Sequence, residues 1–154
     1  MIRLLIALML LTGPAFAVEC TQANGIYTDD RGFTLSFETR GTVTAPYVMR
    51  LENTTTGDRL IGDIIYGNGL GVPYARFAKS CKVETYGLEC EEAIYEGVAY
   101  TIGNYDATAA IPDINEPAAK VILFPQSVLG YYQAIKSGDL QKMPSEIFEL
   151  TACK

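Results

Sequence analysis

The sequence predicts a β-rich α+β fold. It comprises an antiparallel sheet of about six to eight short strands, curled as a sandwich or partial barrel, with one packed α-helix and two disulfides. Three observations predict it. Short stretches of alternating apolar and polar residues recur along the chain, separated by Asn-, Asp- and Gly-rich turns. Only residues 126–137 carry clear helical spacing in the mature chain. The 4 cysteines, Cys20, Cys81, Cys90 and Cys153, are even in number and follow a leader for export.

The leader is residues 1–17. Arg3 supplies a positive charge, Leu4 to Leu11 is uninterrupted apolar sequence, Gly13-Pro14 breaks it, and Ala15-Phe16-Ala17 ends in small residues. That order is a secretory signal peptide. The apolar part falls short of the ~20 residues that span a bilayer. Glu19 directly before Cys20 does not suit lipoprotein processing. The expectation is a mature single domain, residues 18–154, periplasmic or secreted, with no membrane anchor.

The elements follow in order. Asn24-Gly25 is a turn. Ile26–Thr28 and Phe33–Glu38 form a hairpin around Asp29-Asp30-Arg31-Gly32, with Phe33, Leu35 and Phe37 on one face. Tyr47–Glu52 places Tyr47, Met49 and Leu51 together. It pairs with Arg59–Tyr66 across the polar turn Asn53–Asp58, where Asn53-Thr54-Thr55 also matches a glycosylation acceptor. Gly67-Asn68-Gly69-Leu70-Gly71 lacks the lysine or following helix of a phosphate loop and reads as a connection or bulge.

Tyr74–Thr85 fits a helix or a strand; as a strand it puts Ala75 and Phe77 on one face. A hairpin then runs from about Lys79 through a turn at Tyr86-Gly87 to Cys90. In the strand Ile94–Ile102 the apolar positions Ile94, Val98, Tyr100 and Ile102 share a face. The next loop carries Asn104, Asp106, Asp113, Asn115 and Glu116, oxygen donors without EF-hand spacing, and reads as solvated. Ala119–Phe124 is a buried strand. The helix at 126–137 has Val128, Leu129, Tyr132 and Ile135 inward, Tyr131 and Gln133 outward, and Gly138 as terminator. Glu146–Thr151 is the last strand.

Four cysteines allow three pairings. Cys81–Cys90 and Cys20–Cys153 are the expected ones. The first pair faces across a hairpin and the second ties the two ends.

The residue types restrict the chemistry. The chain has no histidine and no tryptophan. It therefore has no Ser-His-Asp triad and no Cys-His pair. There is no C-x-x-C or S-x-x-K motif, and no zinc-type ligand spacing. No catalytic, cofactor-binding or metal-binding residue is assigned. A carboxylate pair drawn from Asp29, Asp30 and Asp63 is the remaining route to a hydrolase. The net charge of -6, one unit more negative without Arg3, disfavours nucleic acid and suits a cationic partner.

The distinctive surface is the hairpin closed by Cys81 and Cys90. It carries Glu84, Tyr86, Glu89, Glu91, Glu92 and Tyr95, with Glu96 beyond, as an acidic, aromatic binding surface. The sequence thus points to an exported, non-enzymatic binding or accessory protein that presents this hairpin to a cationic protein or an envelope glycan. A carboxylate-dependent hydrolase and a structural subunit of an envelope assembly are the alternatives.

Overall fold

The computed structural model describes residues 20–39, 47–66, 73–84, 87–102, 107–108 and 111–154. The predicted leader, the glycine run 67–71, Tyr86, Asn104 and Asp106 lie outside the described residues.

Alternation and turn chemistry build the first half. Strands β1 (Gly25–Thr28) and β2 (Thr34–Thr39) pair as a hairpin, with Tyr27 opposite Leu35. Asp29 shapes its turn: one carboxylate oxygen accepts the N–H groups of Arg31 at 2.9 Å and Phe33 at 2.7 Å. Strands β3 (Tyr47–Asn53) and β4 (Asp58–Tyr66) pair next, with Leu51 opposite Leu60. The Asn53 side chain accepts the N–H groups of Thr55 and Thr56 and is buried. Its amide nitrogen, the atom a glycan would join, donates to the Arg31 carbonyl at 3.3 Å, so the whole amide is engaged in the turn region.

Strand β5 (Pro73–Ala78) resolves the helix-or-strand alternative as strand, with Ala75 and Phe77 inward. Strands β6 (Cys81–Glu84) and β7 (Gly87–Cys90) form a separate two-stranded sheet. Strands β8 (Ala93–Val98), β9 (Tyr100–Ile102), β10 (Ala107–Thr108) and β11 (Val121–Leu123) follow, then α1 (Ser127–Ser137) and β12 (Ile147–Cys153).

Ten strands make one antiparallel sheet in the order β10-β9-β11-β12-β1-β2-β3-β4-β5-β8. β8 pairs with β5, while β9 pairs with β11. Only Ala99 separates β8 from β9, so one extended run reaches from one end of the sheet to the other and nearly closes it. Rings fill the inside. Tyr27, Phe37 and Tyr47 contact edge to face, and Phe77, Tyr95, Phe124, Phe148 and Tyr131 form a second set. Burying each such side chain contributes about 1.5–3 kcal/mol.

Both expected disulfides are present. Cys20–Cys153 joins the described ends of the chain, and Cys81–Cys90 joins directly opposed residues of β6 and β7. By loop-closure entropy they stabilise the fold by about 5 and about 2.7 kcal/mol.

Three expectations about burial change. In the β8–β9 run the inward residues are Tyr95, Ala99 and Thr101, and Tyr100 and Ile102 are exposed. Large side chains from β5, β11 and α1 already crowd that side, so one ring and two small residues fit where the more apolar set would not. Ala119–Phe124 is half-buried rather than continuous core, with Ile122 and Phe124 inward and Lys120 exposed.

The third change concerns α1. It buries Ser127, Tyr131 and Ala134, and leaves Val128, Leu129 and Tyr132 exposed. The cause lies at Gly130: a Cβ there would sit 1.8 Å from the Ile94 carbonyl oxygen of β8. Contact that close fixes Gly130 on the face against β8; Ser127, Tyr131 and Ala134 are buried with it, and Val128, Leu129 and Tyr132 turn outward. Gly138 ends the helix as expected, at φ +83°.

After α1 the segment 139–146 is strapped to the sheet. The buried Asp58 carboxylate accepts the N–H groups of Gln141 at 2.8 Å and Lys142 at 3.0 Å. Asp29 accepts the Ser145 N–H at 2.8 Å, and Arg31 donates to the carbonyls of Met143 and Pro144.

Candidate functional site

The β6–β7 hairpin lies on the outer side of the main sheet, where Asp63 of β4 and Arg76 of β5 are opposed. Asp63 is 1% exposed and its carboxylate meets the Arg76 guanidinium at 3.0 Å. The same two side chains grip one peptide segment of the hairpin. Arg76 donates to the Leu88 carbonyl at 2.6 Å, and Asp63 accepts the Leu88 N–H at 3.1 Å. The pairing matters because a buried carboxylate without such partners costs several kcal/mol. Leu88 itself is buried. The hairpin is therefore closed by a disulfide at its base and docked through its second strand.

That docking sets the predicted residues in place. Glu84 and Glu89 are exposed on the hairpin, and Glu89 stands opposite Lys82 in the strand register. Glu91 and Glu92 are exposed where the hairpin leads into β8. They line a shallow groove of about 540 Å³ with Lys79, Gln133 and Asp139 of the neighbouring elements. Lys79 pairs with Asp139 at 2.7 Å; that contact and the Ser137 hydroxyl hold the Asp139 carboxyl below its ordinary range. Glu96 is exposed opposite Arg76 on the outer face of the sheet. It lines a second groove, of about 470 Å³, with Tyr100, Gln126 and Leu129.

Tyr95 departs from the expected surface role. It is buried against Phe77, Phe124 and Tyr131, and its hydroxyl donates to the carbonyls of Val98 and Pro125. Burial raises its pKa. Its ring is part of the core because Tyr95 stands opposite the inward-facing Phe77 in the strand register. An exposed aromatic that shares a groove with Glu96 is instead Tyr100, a position that the sequence pattern had placed on the apolar face.

Two of the three acids considered for hydrolysis serve the fold. Asp63 is the buried anchor of the hairpin, and Asp29 spends both oxygens on backbone N–H groups. Asp30 is exposed beside Arg31 at 3.9 Å and lines a groove of about 350 Å³ with Asp29 and Glu149. Among the described residues no group of three or more Cys, Asp or Glu is arranged to hold a metal ion, and all four cysteines are in disulfides. Asp113 and Glu116 face one another across a local turn through the Asp113 N–H and the Glu116 carboxylate at 2.9 Å. No helix among the described residues is long and apolar enough to cross a membrane.

Sequence reasoning missed Arg76, and it weighed Asp63 only as a candidate hydrolase acid. Arg76 interrupts an otherwise apolar β5 and Asp63 interrupts the apolar stretch Leu60–Tyr66 of β4, a signal that could have marked them as partners. Leu129, placed in the core by its spacing, instead faces solvent beside Glu96. No protein-family model matches the chain, and neither a curated protein nor a solved structure is detectably similar to it.

Proposed function

We propose that the chain is an exported, non-enzymatic binding protein whose working surface is the disulfide-closed hairpin and its acidic base, and whose partner is a cationic protein. The observation that carries the reading is the docking of the hairpin. Its exposed glutamates stand on a frame fixed by Cys81–Cys90 and by the Asp63–Arg76 grip on Leu88. A frame ordered before binding spares the complex the loss of loop entropy. The net charge of -6 favours approach of a positive partner. Export is supported by the leader pattern and by the two disulfides, which persist in oxidising compartments.

The test replaces Glu89, Glu91 and Glu92 together with glutamine and repeats capture of partners from the native compartment. Loss of a partner whose retention by the wild type weakens with salt supports the reading. An unchanged set of partners removes the hairpin from it. A structural subunit of an envelope assembly is the second reading, favoured by the exposed apolar face of α1.

A further inference from the structure

The outer face of α1 is apolar and exposed. Leu129, Tyr132 and Val128 are 69, 53 and 40% exposed. With Met143 and Gln126 they line a shallow depression of about 460 Å³. One exposed leucine needs no explanation, but a group of this size on one helix does. Gln126 and Leu129 also line the groove that holds Glu96 and Tyr100. Gly130 continues that surface into the groove of Glu91 and Glu92. The apolar face and the acidic rim are thus continuous.

Charge selects the occupant. Glu91, Glu92 and Glu96 edge the surface and outnumber its two lysines. Lys79 is held by Asp139, and the Lys136 ammonium lies 5.8 Å from the centre of the Tyr132 ring. A second copy would set one acidic rim against another across a self-complementary interface. An anionic lipid surface would meet the same repulsion. A segment with apolar residues on one side and positive charges beside them satisfies both halves.

We infer that this surface binds a cationic amphipathic helix of the partner protein. Its apolar residues cover Val128, Leu129 and Tyr132, and its lysines or arginines meet Glu91, Glu92 and Glu96. The inference rests on the binding-protein reading above and names the chemistry of its partner.

The probe is a synthetic helix of about 18 residues with leucine on one face and lysine on the other, against a scrambled peptide of identical composition. Both are titrated calorimetrically into the mature chain with its disulfides intact. The amphipathic peptide should bind at least tenfold more tightly than the scrambled one. The double variant Leu129→Ser, Tyr132→Ser should abolish that difference. The triple variant Glu91→Gln, Glu92→Gln, Glu96→Gln should flatten the salt dependence. The altered side chains are exposed, and an unchanged near-ultraviolet circular dichroism spectrum confirms folding. Equal binding of the two peptides overturns the inference but leaves an acidic hairpin that binds by charge alone. Failure of both peptides to bind overturns it too, and unchanged native partners in the hairpin test would then remove the broader reading as well. A concentration-dependent dimer that Tyr132→Ser abolishes would also overturn it, by assigning the face to a second copy.

Discussion

Gly130→Ala sets two effects of opposite sign against each other. In a helix interior, alanine is more favourable than glycine by about 1 kcal/mol, so propensity predicts stabilisation. The structure predicts the reverse. The added Cβ would lie 1.8 Å from the Ile94 carbonyl oxygen and 3.0 Å from its carbon. A tolerated carbon–oxygen contact is about 3.3 Å, so α1 or β8 must give way by roughly 1.5 Å. Both neighbours are main chain, and no side chain can rotate aside. Moving α1 outward also withdraws Tyr131 and Ala134 from the packed interior. Overpacking of this kind costs about 1–3 kcal/mol, and the loosened ring contacts add to it. The net expectation is destabilisation by about 2 kcal/mol, read as a lower urea midpoint and a fall in Tm of roughly 6–10 °C. A variant as stable as the wild type or more so would show that α1 does not rest on β8 through this glycine.

High pH should unfold the protein cooperatively. Burial raises the pKa of Tyr27 from 10.0 to about 12, and raises those of Tyr47, Tyr95 and Tyr131 further. The unfolded chain therefore loses these protons first, so stability is retained below pH 10 and declines above it. Tyr27 alone accounts for a loss of about 2 kcal/mol by pH 12. Phenolate absorbance at these four residues should rise together with the loss of far-ultraviolet circular dichroism; ionisation with the fold intact near pH 10 would refute their burial. Asp58→Ala strands the N–H groups of Gln141 and Lys142 and should cost about 2–4 kcal/mol. Hydrogen exchange at those two amides should accelerate selectively, whereas unchanged protection would mean that the strap is held by other contacts. Asp63→Ala leaves Arg76 half-buried without its carboxylate, and should destabilise the fold by about 3 kcal/mol while loosening the hairpin. Exchange at the Leu88 amide reports the loosening, and an amide as protected as before would remove Asp63 from the docking.

The sheet was legible where local chemistry decides. The Asp29-Asp30-Arg31-Gly32 and Asn53–Asp58 turns sit between stretches of clean alternation, and both hairpins form there. The disulfides were legible because strand pairing brings Cys81 and Cys90 face to face. Periodicity fails for a different reason. It states which residues share a face and not which face is covered. In α1 and in the β8–β9 run the more apolar set lost to the set that fits the space. Gly130, which costs helix propensity, was the sign that something approaches the helix closely, but it did not say what. Asp58 was invisible for another reason, since its partners lie 83 and 84 residues further along the chain. At the candidate site, the exposure of Glu84, Glu89, Glu91 and Glu92 followed from the hairpin, while Tyr95 was lost with the phase of β8.

The two halves of the proposed surface owe their relative position to one short piece of chain. Cys90 closes the hairpin, Glu91 and Glu92 follow at once, and Ile94 of β8 carries the carbonyl on which Gly130 rests. Acidic rim and apolar helix face therefore share β8 as a common base. That base is paired along its length with β5, the strand that supplies Arg76 to the hairpin. A shift of the hairpin relative to β8 would have to break strand pairing, a disulfide-closed turn or a buried ion pair, and α1 rests on that base through Gly130. Such a surface meets a partner with its charge and its apolar area already in register, and its affinity should depend on their spacing as well as on their sum. Gly130→Ala, by shifting α1 relative to β8, should accordingly weaken binding of the amphipathic peptide even under conditions where the variant remains folded.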